Sequence, residues 1–245
     1  MSEDDVELAV AVAATMRGGD YIHMGAGQPW LWAAIAFARR EQGLSLKVAA
    51  GGTFVLDLDA TDAPSGTYAP DAMSAWSSTM HQSTIFRDLK RPRVTYPTCF
   101  QVDARGNGNL TRLLTSAGRT VTGPGLAGLP TLTAHASRFY LVVREHSRRT
   151  LVDHVDYVSV LGEQRSRASL GLPAGLAGVI TPLATFEPGR SGLELARVRA
   201  GTTVAEIRER TGFDFETSRN LMDRAAPSRV QRDYLLDLVR NEKEM

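Results

Sequence analysis

The chain has 245 residues, a formal net charge of +1, 43% hydrophobic and 22% charged residues. That length can bury one large core or two small ones, and the balanced charge gives no field to recruit nucleic acid or anionic lipid. The single cysteine, Cys99, excludes an internal disulfide, and no apolar run approaches the roughly 20 residues of a membrane helix.

The opening Ser2-Glu3-Asp4-Asp5 is acidic, whereas targeting peptides want basic residues there, so the expected location is the cytoplasm. Val6 to Arg17 is apolar on one face and stops at Gly18-Gly19, which predicts a helix. Tyr21 to Met24 reads as a short strand running into Gly25-Ala26-Gly27-Gln28-Pro29. Pro29 suits a first helical turn, so Trp30 to Arg40 continues as a helix. Leu44 to Ala50 reads as a second strand ending at Gly51-Gly52. The polar stretch from Asp57 to His81 reads as a long loop, of the kind that serves as a lid or substrate loop. Thr84 to Lys90 reads as a short helix, Val94 to Val102 as one strand, and Arg105-Gly106-Asn107-Gly108 as a turn. Phe139 to Arg144 is a further strand. Thr203 to Glu206 matches a capping box for a helix stopping near Gly212, and Gln231 to Glu242 closes the chain as a helix. Strands alternating with helices predict an α/β fold with parallel pairing. Without repeats or a linker, one domain over residues 1–245 is the simplest organisation.

Gly25-Ala26-Gly27-Gln28-Pro29 joins a strand to a helix start, where free N–H groups attract phosphate, carboxylate or a developing oxyanion. Trp30 stands where a dinucleotide fingerprint needs its third glycine. A tight turn without a ligand accounts for the motif equally well. Gly123-Pro124-Gly125-Leu126-Ala127-Gly128 offers either an amide nest or a plain surface loop. The five histidines, His23, His81, His135, His146 and His154, show no zinc-ligand spacing, so no metal site is expected. His23 lies in a strand, as a core histidine or a functional one. Cys99 lies in a strand predicted to be buried, where cysteine usually behaves as an inert hydrophobe. Asp57, Asp59 and Asp62 cluster after the second strand, suited to acid–base work or to simple solvation.

The order of these signals resembles the β-type subunit of a class I coenzyme A-transferase, in particular the β subunits of glutaconate CoA-transferases. Gly25-Ala26-Gly27-Gln28-Pro29 resembles their Gly-x-Gly-x-Pro turn. Gln101-Val102-Asp103-Ala104-Arg105-Gly106-Asn107-Gly108-Asn109 resembles their Gln-Val-Asp-x-x-Gly-Asn-x-Asn segment. Glu145-His146-Ser147-Arg148-Arg149 with Val155-Asp156-Tyr157-Val158 resembles their Glu-His-x-Arg-Arg…Val-Asp-Tyr-Val block, and Thr211-Gly212-Phe213-Asp214 their closing motif. The resemblance implies an open layered mixed α/β sheet flanked by helices, of the NagB/RpiA/CoA-transferase type. It implies an obligate α-type partner, as a heterodimer or α2β2 heterotetramer, and an acyl-CoA substrate. It implies no permanently bound cofactor beyond the coenzyme A of that substrate.

The departures matter as much. The family's nucleophilic glutamate falls at Ala49 within Val48-Ala49-Ala50-Gly51, and a methyl group cannot attack a thioester. Leu126 replaces a glycine of the family's Gly-x-Gly-Gly. The resemblance therefore implies a scaffold whose usual transfer chemistry is removed or relocated. Members of this kind include a ring-opening hydrolase of a steroid-derived acyl-CoA and a methylglutaconyl-CoA decarboxylase. Decarboxylation, C–C cleavage and hydrolysis all need negative charge stabilised beside the thioester. The expected catalytic neighbourhood is the vacated Ala49 with His23, Asp57 and His81. Expected substrate-binding positions are Gly25, Ala26, Gly27, Gln28, Ala50, Gly51, Gly123, Gly125 and Leu126. The alternatives are a genuine transferase whose nucleophile sits on the partner, and a non-catalytic structural subunit.

Overall fold

The structure is a computed structural model that describes residues 2–25, 28–50, 54–56, 76–79, 93–115, 117–123, 125–126 and 128–240. In chain order the first elements are α1 (Glu3–Ala13), β1 (Tyr21–Met24), α2 (Pro29–Gln42), β2 (Lys47–Ala50), β3 (Phe54–Leu56), β4 (Trp76–Thr79) and β5 (Arg93–Thr95). There follow β6 (Gln101–Asp103), β7 (Gly108–Asn109), β8 (Arg112–Leu114), β9 (Thr120–Thr122), α3 (Leu129–His135), β10 (Arg138–Val142) and β11 (Leu151–Val152). The last are α4 (Gln164–Ser169), β12 (Leu176–Ile180), β13 (Ala184–Pro188), β14 (Leu193–Arg199), α5 (Val204–Arg210), β15 (Glu216–Arg224) and α6 (Arg229–Arg240). The residues fall into two compact units, Met1–Tyr96 with Ala226–Met245, and Pro97–Ala225. Each builds a mixed sheet with helices, which is the α/β class expected.

In the first unit the strand order is β5-β1-β2-β3-β4. β1 pairs in parallel with both β2 and β5, while β3 and β4 extend the sheet antiparallel. β1 spans the four residues predicted. β4 falls inside the stretch expected to be loop, where Trp76 and Thr79 favour extended structure. The helix expected at Thr84 to Lys90 lies outside the described residues.

α1 starts earlier than its apolar periodicity suggests, because Ser2 caps it. Ser2 Oγ accepts the Asp5 N–H at 3.3 Å, and the Asp5 carboxylate accepts the Ser2 N–H at 3.0 Å. Three acidic residues in the first turn add a favourable dipole interaction. α2 opens on Pro29 and ends at Gly43, which takes the left-handed conformation at φ 64°. α6 packs on both helices: Arg232 pairs with Glu3, and the Arg40 guanidinium lies 4.2 Å from the Tyr234 ring centroid. Ile22, Met24 and Val48 from the strands are fully buried, as are Val6, Leu8, Leu31 and Ala34 from the helices.

In the second unit β10 and β12 are parallel, β12, β13 and β14 run antiparallel in turn, and β14 and β15 are parallel. A smaller sheet joins β11, β6 and β7, and β8 with β9 forms a hairpin. The single strand expected from Val94 to Val102 is two strands, β5 and β6. Pro97 sits between them, lacks an N–H for the ladder and breaks it. The core gathers Phe186, Phe213 and Phe215 with ring centroids 5.2 to 6.5 Å apart, Phe215 standing edge to face with both of the others. Arg167, 1% exposed, is satisfied by four carbonyls: Pro173 O at 2.7 Å, Leu161 O at 2.9 Å, Thr133 O at 3.0 Å and Ala134 O at 3.5 Å.

Candidate functional site

In the first unit three parallel strands end side by side, and ligands of open α/β sheets collect at such carboxyl ends. His23 is the Cα partner of Ala49 on one side and of Thr95 on the other. Residues in register on parallel strands share a face, so one imidazole stands between a methyl and a hydroxyl. Ala49 is 0% exposed and Thr95 4%, and His23 is half-buried. Ala49 packs with Tyr21, two residues before His23 on the same face. Position 49, where the resemblance leads one to expect a glutamate, is therefore a buried methyl packed on Tyr21.

The turn after β1 is tied to its neighbours by one side chain. Gln28, the residue before α2, accepts the Gly25 N–H on Oε1 at 3.1 Å and donates from Nε2 to Tyr96 O at 2.9 Å. It thereby joins the ends of β1 and β5 at the N-terminus of a 14-residue helix. Tyr96 is buried, and its hydroxyl meets Thr15 Oγ1 at 3.0 Å. Gly25 is exposed. A substrate carbonyl displacing the Gln28 amide would find an N–H already aimed at it. Ala50 ends β2 opposite Met24. Ala26, Gly27, Gly51, Asp57 and His81 lie outside the described residues, as do Asp59 and Asp62. Thr95 and Tyr96 went unnoticed in the sequence. The one signal for them was their place between Val94 and Pro97, at the end of a strand.

The remaining predicted positions belong to the second unit. Gly123 is a glycine for steric reasons: a Cβ would stand 2.3 Å from Leu110 O and 2.5 Å from Phe100 Cε2. Its N–H donates to Thr111 O at 2.7 Å, so that amide is engaged within the fold. Gly125 has φ +89° and open space around it. Leu126 is half-buried against the core.

The Gln101 to Asn109 motif is a structural clasp. The Asp103 carboxylate accepts from the N–H groups of Arg105 and Asn107 at 3.0 and 2.9 Å, and from Asn107 Nδ2 at 3.1 Å. Asn107 Oδ1 in turn accepts the N–H groups of Gly162 and Glu163, both at 3.1 Å. His146 is buried between hydroxyls, Nδ1 at 2.7 Å from Thr181 Oγ1 and Nε2 at 3.1 Å from Thr211 Oγ1. Burial, with Arg210 and Arg224 nearby, lowers its pKa to about 4. The Glu145 carboxyl is held below its ordinary value by hydrogen bonds from Ser147 and Arg149. Burial pushes the Cys99 thiol well up. Among the described residues no three His, Cys, Asp or Glu gather as a metal site, and no helix is long and apolar enough to cross a membrane.

No family model matches the chain. It is similar to one of the subunits of 3-oxoadipate CoA-transferase from Pseudomonas knackmussii, 29% identical over 141 residues, or 55% of this chain and 54% of that protein. The match thus spans about half the length of that curated relative. Among solved structures, the decarboxylase AibA/AibB is 25% identical with a TM-score of 0.77, over 96% of this chain and 94% of that one. Glutaconate coenzyme A-transferase from Acidaminococcus fermentans superposes with a TM-score of 0.81 at 17% identity, covering 99% and 94% of the two chains. Rhodococcus jostii RHA1 IpdAB gives 0.75 at 20% identity, covering 98% and 93%. At 17% and 20% identity these last two speak for the fold.

Proposed function

We propose, on the premise that this chain belongs to the β-type class I coenzyme A-transferase family, that it is one subunit of an acyl-CoA enzyme working without CoA transfer. The reaction class is decarboxylation, C–C cleavage or hydrolysis of an acyl-CoA, at a site completed by an α-type partner. The observation that carries this reading is Ala49: fully buried, packed on Tyr21 and in register with His23, it offers no group to form an acyl anhydride. Decarboxylation or C–C cleavage leaves an electron pair beside the thioester, delocalised as an enolate. In this reading the Gly25 N–H turns from Gln28 Oε1 to the thioester oxygen, and His23 moves the proton to or from the adjacent carbon. Buried Thr95 flanks the imidazole on the side opposite Ala49. The similarity to AibA/AibB, named a decarboxylase, supports the class.

One observation favours a second reading: the curated relative is named as part of a CoA-transferase. A true transferase containing this chain would take its nucleophile from the α-type partner. The test is to incubate the complex, co-purified with its native partner, with a panel of acyl-CoAs with and without acetate, and to follow products by mass spectrometry. Loss of CO2 or gain of water regardless of acetate supports the first reading. Acetate-dependent formation of acetyl-CoA by the wild-type complex overturns it in favour of the second.

A further inference from the structure

The second unit holds a cleft of ≈ 620 Å³ that the proposed chemistry does not use. Three arginines converge on it from three segments: Arg105 from the β6–β7 turn, Arg165 from the first turn of α4, and Arg190 from the β13–β14 hairpin tip. Among the described residues Glu163 is the one carboxylate in its lining, and it pairs with Arg105 at 3.4 Å. The lining therefore carries an excess of positive charge. Two further carboxylates lie close by without lining it. Glu216 accepts from Ser191 Oγ at 3.2 Å, and a Glu194 oxygen lies 2.9 Å from where a Gly189 Cβ would stand.

The three segments are locked to one another. The Leu193 N–H donates to Ala104 O at 2.8 Å, and Asn107 Oδ1 holds both Gly162 and Glu163. The backbones pass so closely that side chains are excluded. A Cβ on Gly162 would stand 1.8 Å from Gly106 O, and one on Gly192 2.7 Å from Ala104 O. The three exposed arginine side chains thus stand on fixed backbone, and binding has their rotamers, not the segments that carry them, left to order.

We propose that this cleft is an anion site that takes a phosphate monoester or diphosphate group between Arg105, Arg165 and Arg190. A guanidinium presents a planar fork of donors that matches phosphate oxygens two at a time. Three forks offer more donors than a lone carboxylate can accept, whereas a diphosphate can engage them all. The carrier of that chemistry is either the nucleotide end of coenzyme A or free phosphate.

Isothermal titration of the protein, in complex with its partner, with inorganic pyrophosphate and with coenzyme A tests this. The double variant Arg165→Ala/Arg190→Ala is expected to weaken pyrophosphate binding by about tenfold or more. Glu163→Gln releases Arg105 from its carboxylate and is expected to tighten binding by about threefold. A merely structural role for Glu163 would not produce tightening. Coenzyme A bound more tightly than pyrophosphate and weakened by the same double variant identifies the nucleotide carrier; coenzyme A binding indifferent to that variant identifies free phosphate. Equal pyrophosphate affinity in wild type and both variants, with unchanged thermal midpoints, overturns the proposal, as does the absence of millimolar binding in wild type. The pyrophosphate comparison between wild type and variants involves neither turnover nor an acyl-CoA, so it stands or falls apart from the acyl-CoA reading.

Discussion

Protonation of His146 should destabilise the second unit, and the size of the effect follows from its surroundings. The ring is 2% exposed, bridges two threonine hydroxyls and stacks on Phe186 at 6.2 Å. Burial first, then Arg210 and Arg224, lowers its pKa from 6.5 to about 4. A folded pKa below the unfolded one means that the unfolded chain binds the proton first. Stability is then full above pH 6.5, falls as pH drops, and levels off below about 4. Each pH unit within that window removes about 1.4 kcal/mol, so about 2 kcal/mol is lost between pH 7.5 and 5, and about 3 kcal/mol in all. Urea unfolding of wild type and His146→Gln at several pH values between 7.5 and 4.5 isolates this from other titrating groups. Gln can still meet a threonine hydroxyl but does not titrate. The wild type should lose about 2 kcal/mol more than the variant by pH 5. Parallel curves for the two proteins would refute the reasoning.

Ala49→Glu places a carboxylate on the buried face beside His23. It should lower stability by about 2–4 kcal/mol, read as a fall in thermal midpoint, and raise acetate-dependent CoA exchange above that of wild type; a stable variant without added exchange counts against the Ala49 assignment. Gly162→Ala drives a methyl into Gly106 O and should cost about 3 kcal/mol, roughly 10 °C in midpoint by calorimetry, whereas Gly125→Ala, at a position with open space, should cost less despite its positive φ. Cys99 is buried with its thiol pKa raised, so a thiol-specific reagent should label it at the rate of unfolding rather than of diffusion; fast labelling of the folded protein at neutral pH would contradict the packing.

How much of this was legible in the sequence depends on the range of the interaction that decides each feature. β1 was readable to the residue because four apolar-rich residues end at a glycine turn, and Pro29 marked the start of α2. The Arg105–Gly108 turn was readable because Gly106 needs a positive φ of 82°. Pro97 could have shown that β5 and β6 are separate, yet the apolar run around it masked the break. β15 is mostly exposed and polar, Glu216 to Arg224, so nothing in its pattern set it apart from loop. Its pairing with β14 decides it, and that is tertiary information.

The candidate site divides along the same line. The Gly25 turn and the alanine at position 49 were visible because they are local. The placing of His23 between Ala49 and Thr95 was not, because it depends on β5 lying beside β1 although β2, β3 and β4 intervene in the chain. The same strand order gives Gln28 a part that no motif states: its amide spans from the Gly25 N–H to Tyr96 O, between strand ends 71 residues apart, the numbering running from 25 to 96. Gly123 shows what a glycine cluster leaves open between an amide nest and a plain loop, since the packing spends that amide on Thr111 O and excludes a Cβ outright. A glycine read from sequence alone therefore divides into two kinds. Some, like Gly25, leave an exposed N–H that a ligand can take from a side chain; others, like Gly123 and Gly162, are glycines because another backbone already occupies the space. Only the first kind can stabilise developing charge, and this supports the oxyanion role proposed here for Gly25 over Gly123.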